Sequence, residues 1–101
     1  MFVVISKFTV DNQDGMTEAI KTAYRERPHL VEHAVGFVRL DVLSPLESPN
    51  QIWLITYWVE QENFQHWFRT HAYRQAHQSI PGNLKLISSE TEMLFFDHIA
   101  S

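Results

Sequence analysis

Apolar positions along this chain follow two periods that alternate. Residues 2–10, FVVISKFTV, interleave β-branched and aromatic side chains with polar ones, and DNQDG closes them with turn chemistry. A strand is expected there, with Val3, Ile5, Lys7 and Thr9 on one face because side chains alternate across a strand. From about Asp14 the period changes. Met16, Ala19, Ile20, Ala23 and Tyr24 recur at helical spacing and the pattern stops before Pro28, which predicts an amphipathic helix of about three turns. PHLVEHAVG connects to GFVRLDVLSP, where Phe37, Leu40 and Val42 mark a second strand, and SPLESPN reverses the chain. QIWLITYWV carries the clearest strand pattern, with Ile52, Leu54, Thr56 and Trp58 on one side and Trp53, Ile55, Tyr57 and Val59 on the other. Both sides are apolar enough to need cover.

The segment EQENFQHWFRTHAYRQAHQSI is helical in composition, and Thr70 in its middle can cap a restart at a new angle, so two short helices are expected in place of one long one. PGN then turns the chain into LKLISS and TEMLFFDHI, two final strands. In the last, Met93, Phe95 and Asp97 share one face and Leu94, Phe96 and His98 the other. The order β-α-β-β-α-β-β, free of repeats and low-complexity linkers, is the split βαβ arrangement of ferredoxin-like α+β domains: an antiparallel sheet with both helices on one face. The other sheet face is then bare. Covering it with the same face of a second copy, in a homodimer, is the simplest solution.

Composition sharpens that expectation. A single domain spanning 1–101 buries only roughly 60–68% of the surface its unfolded chain exposes. Yet hydrophobic residues make up 45% of this chain and aromatics 13%, with three Trp and seven Phe. Part of that bulk is expected to face a partner subunit or a flat ligand. The 8 basic residues are scattered against 12 acidic ones for a net charge of −4, so nucleic acid and anionic membranes are poor partners. The lack of cysteine excludes disulfides, thiolate metal sites and cysteine nucleophiles, leaving histidine and carboxylate as metal ligands. MFVVISKF has an apolar run of about four residues without the flanks of a signal peptide, and a soluble cytoplasmic protein is the expectation.

Three phrases carry a resemblance: "GF" at Gly36-Phe37, "TYWVEQENFQHW", and "AYRQAH". Set in this element order, they resemble the antibiotic biosynthesis monooxygenase (ABM) superfamily of dimeric α+β barrels, and within it the IsdG-type haem-degrading monooxygenases. The resemblance covers nearly the whole chain. Element order and "GF" mark only the superfamily. The haem-degrading branch adds a Trp at the end of the first short helix and, ten residues on, a His in a phrase ending Ala-His; these fall at Trp67 and His77. The resemblance implies haem as both cofactor and substrate, His77 as the axial ligand of its iron, and Trp67 pressing on the porphyrin face to bend it. An external electron donor is implied as well. That branch also carries an Asn on its first strand, in the ligand pocket. Here Lys7 stands in its place, flanked by Ser6 and Phe8, and is the candidate for the catalytic polar position.

Each of these residues also has a plain structural reading. His77 suits a partly buried, hydrogen-bonded histidine of an amphipathic helix; on a continuous helix Tyr73 and His66 would lie within about 40° of it. His66 and His71 lack the Ala-His context and read as solvent-facing or interfacial. Trp67, like Trp53, Trp58, Phe95 and Phe96, suits core or interface packing. Lys7 suits a rim lysine that snorkels to water or meets an anion: a propionate, a substrate carboxylate or an acidic side chain of a partner. Arg25, Arg27 and Arg39 read as surface charges, and His29 and His33 lack a third ligand for a metal. Two other functions therefore stand beside haem degradation. One is a cofactor-free ABM-type monooxygenase or isomerase, with a His and a Lys as proton acceptor and enolate stabiliser. The other is a dimeric barrel that only binds a hydrophobic small molecule, and the fold alone does not choose among the three.

Overall fold

A computed structural model describes residues 1–10, 15–27, 29–70 and 92–101. Strand β1 is Phe2–Thr9, helix α1 Met16–Arg25, β2 Phe37–Leu43, β3 Gln51–Trp58, α2 Gln61–Arg69 and β4 Glu92–Asp97. One turn of 3-10 helix, Val31–His33, sits in the connector between α1 and β2. The expected second half of the split helix, with Tyr73 and His77, and the LKLISS strand lie outside the described residues.

The strands form an antiparallel sheet in the order β2-β3-β1-β4. Register fixes what each face carries. Val4 pairs with Thr56 and Phe95, and Phe8 with Ile52, so these residues share a face with Phe2, Ser6, Leu54, Trp58 and Met93. Both helices cover this face, as the sequence predicts. α1 lays Ile20 and Tyr24 onto Phe8, Val10 and Ile52. α2 lays Phe64 and Trp67 onto Val4 and Trp58, with Val31 of the 3-10 turn completing the cluster. Trp58 and Ile20 are 0% exposed and Ile52 2%. Full burial of such side chains contributes roughly 1.5–3 kcal/mol each, which makes these two clusters the main support of the helix layer.

The opposite face carries no helix among the described residues. Cross-strand rows there read Asp41–Ile55–Ile5–Leu94 and Leu43–Trp53–Lys7–Glu92. Leu43 is 51% exposed and Phe96 44%. Charge on this face is carried by Lys7 and Glu92, paired across β1 and β4, and by Asp41, to which Arg39 donates at 2.8 Å while lying over the Tyr57 ring.

Candidate functional site

The helix α2 that carries Trp67 is fixed at both ends. At its start the Asn63 side-chain oxygen accepts the Glu60 backbone N–H at 3.0 Å, which satisfies a donor the helix itself leaves unpaired. The same Asn63 side chain presses against Gly36, whose φ of 81° places it in the left-handed region; an added Cβ would run into Asn63. Gly36 in turn accepts the Val59 N–H at 2.8 Å. The glycine of the "GF" phrase is thus required twice, for its backbone conformation and for the approach of α2. At the far end Thr70 donates both its N–H, at 3.0 Å, and its hydroxyl, at 2.7 Å, to the Trp67 carbonyl. Thr70 is extended and α2 ends at Arg69; the expected restart beyond it lies outside the described residues.

Held this way, Trp67 is buried, at 7% exposed, among Val4, Val31, Trp58 and Phe64. Half-buried Leu30, Ala34, Leu40 and Met93 pack around that cluster. Aromatic rings continue through it: Trp58 meets Phe37 and Phe64 edge-on at 5.7 and 5.8 Å. The Trp58 indole N–H donates to the Thr56 hydroxyl at 2.9 Å, which removes the polar cost of burying it. Between this cluster and the one under α1, β1 and β3 present Ser6 and Leu54, paired across the strands and half-buried. An apolar strip with one hydroxyl therefore runs along the helix side of the sheet beside Trp67.

Lys7 does not belong to this strip. Strand alternation turns it to the helix-free face, between Trp53 and Glu92, with its ammonium 4.3 Å from the centre of the Trp53 ring. Lys7 and Trp67 are thus on opposite sides of the sheet, and the residue of β1 that faces the helix layer at this depth is Ser6. Ser6 was legible in the alternation of FVVISKFTV, since it shares parity with Val4 and Phe8. Asn63 was legible as the third residue after Glu60 at a helix start. Among the described residues no group of three or more His, Cys, Asp or Glu is placed to hold a metal ion. His29 instead approaches Glu32 at 3.6 Å. Arg27 donates to the same carboxylate at 2.6 Å. Burial pushes the Glu32 carboxyl up, but the hydrogen bond and charge of Arg27 outweigh it and hold the group below its usual value.

Fold and site together describe a ferredoxin-like α+β domain with an aromatic-lined layer between helices and sheet. The profile of the antibiotic biosynthesis monooxygenase family matches residues 1–79, and the chain belongs to that family. Over 53 residues it is 28% identical to a curated Mycobacterium tuberculosis protein described as a heme oxygenase (mycobilin-producing), a match covering 52% of this chain and 50% of that protein. The chain thus aligns with about half the length of the curated relatives it matches. Among solved structures, the M. tuberculosis heme-degrader MhuD, with two hemes bound in its active site, is 24% identical with a TM-score of 0.79 over 100% of this chain and 98% of its own. SnoaB from Streptomyces nogalater, a cofactor-independent oxygenase, gives 16% identity and a TM-score of 0.74 over 99% of this chain and 94% of its own. No described helix is long and apolar enough to cross a membrane.

Proposed function

We propose that the protein is a haem-binding monooxygenase that degrades haem oxidatively, taking the porphyrin between the helix layer and the sheet. The observation that carries this reading is Trp67, which α2 buries in an apolar, aromatic layer beside the half-buried Ser6–Leu54 strip. With Trp67 only 7% exposed, the half-buried Ser6 and Leu54 beside it would give a flat hydrophobic macrocycle its contact surface. Haem would supply the oxygen chemistry, with electrons from an external donor. Of the chain's own residues, His77 would hold the iron and Trp67 would wall the macrocycle, with the apolar layer excluding water. The polar group nearest this layer on β1 is the Ser6 hydroxyl, able to donate or accept one hydrogen bond. Lys7 belongs to the other side of the sheet.

The resemblance of the "HW" and "AYRQAH" phrases and the partial match to a heme oxygenase support haem over other ligands. The likeness to SnoaB supports a second reading, oxygenation of a polycyclic substrate without a cofactor. Titration with haemin, followed at the Soret band, separates the two. One haem per site, lost in His77→Ala and kept in His66→Ala and His71→Ala, is expected. A spectrum identical to free haemin would favour the cofactor-free reading, and loss in His71→Ala alone would move the ligand to that residue.

A further inference from the structure

A cleft of about 450 Å³ lies on the β2 side of α1, and neither Trp67 nor Ser6 lines it. Its floor is apolar, made by Leu40 and Val42 of β2, Ile52 of β3 and the ring of Tyr24. Its rim is cationic: Lys21 and Arg25, one turn apart on α1, with Arg27 and His29 just beyond the helix. Three of the chain's 8 Lys and Arg side chains meet here, on a protein whose net charge is −4, and none of the described lining residues is acidic.

Nearby carboxylates offset part of that charge. Glu18 stands 3.9 Å from Lys21, and Glu32 accepts from Arg27 at 2.6 Å. Arg25 has no ion pair among the described residues, so one guanidinium fork is left over an apolar floor. Guanidinium matches a carboxylate through two parallel hydrogen bonds. The volume falls in the usual range of small-molecule sites, roughly 300–1,000 Å³.

We propose that this cleft is a second binding site, for a small organic monocarboxylate whose flat or branched apolar body lies on Leu40, Val42 and Ile52 while its carboxylate meets Arg25 and Lys21. The proposal is independent of haem. The probe is 2-naphthoate, titrated into the whole protein and followed by backbone amide shifts, with 2-naphthalenemethanol as the uncharged counterpart. Saturable shifts are expected at residues 21–29, 40–44 and 52. Arg25 is exposed, so Arg25→Gln keeps the fold and should weaken naphthoate roughly tenfold, the size of one charge-assisted contact. Arg69→Gln, on α2, should leave binding unchanged. The neutral alcohol should bind roughly tenfold more weakly than naphthoate. Shifts centred elsewhere, equal affinity for acid and alcohol, or naphthoate binding indifferent to Arg25→Gln would each overturn the proposal.

Discussion

Replacing Gly36 by Ala tests how α2, and with it Trp67, is held in place. The substitution acts in two ways. A non-glycine residue at a φ of 81° is strained by roughly 1–2 kcal/mol. The new methyl also collides with Asn63, whose displacement loses the hydrogen bond to the Glu60 N–H, a helix-start contact of about 1 kcal/mol. The sum is about 2–3 kcal/mol, which for a domain of this size lowers the melting temperature by roughly 10–20 °C. Urea denaturation at fixed protein concentration, followed by tryptophan fluorescence, measures it. The double variant Gly36→Ala/Asn63→Gly removes the collision partner, so its cost should fall short of the sum of the two single variants by about 1 kcal/mol, a coupling that contacting residues show. A Gly36→Ala protein within about 0.5 kcal/mol of the parent, or strictly additive costs, would refute the claim that this glycine exists to admit Asn63.

The apolar side chains of the helix-free face, among them Ile5, Ile55, Leu94 and Phe96, predict a homodimer; Ile55→Lys should convert it to a monomer by light scattering, and a parent chain already monomeric at micromolar concentration would contradict this. The Glu32 carboxyl titrates below its ordinary value of 4.5, so its pairing with Arg27 stabilises the fold above that pH and the contribution is lost as pH falls through the lower folded value. Arg27→Gln should therefore cost up to about 1 kcal/mol at pH 7 and nothing once Glu32 is protonated; a pH-independent cost would refute the pairing. Lys7→Asn should leave haemin binding and Soret decay unchanged while costing about 0.5–1 kcal/mol of stability from the lost contact with Trp53, and a several-fold change in decay would place Lys7 in the reaction site.

Strong periodicity made most of the fold legible. QIWLITYWV and FVVISKFTV announced strands whose alternation matches the observed faces, and the Met16-to-Tyr24 spacing announced α1. The turn at Val31–His33 was not legible, because three residues are too few to show a period. The site was legible only in part. Trp67 stands out by residue type, and its burial follows from the helix stripe it shares with Phe64. Lys7 was placed by analogy of position, whereas its facing is a matter of parity: a one-residue step along a strand moves a side chain to the other side of the sheet. Arg25 looked like an ordinary surface charge because, although helix spacing sets it one turn from Lys21, only the packing of α1 beside the β2 edge puts the apolar floor of Leu40, Val42 and Ile52 beneath them.

The central claim, that this chain opens the haem ring in the layer walled by Trp67, is tested most directly by aerobic decay of the haemin-loaded protein. Ascorbate supplies the electrons and catalase removes free peroxide. The account predicts steady loss of the Soret band with release of iron, faster than for free haemin under the same conditions and markedly slowed in Trp67→Ala at saturating haemin. A Soret band that persists, or that fades at the same rate with and without protein, would contradict it.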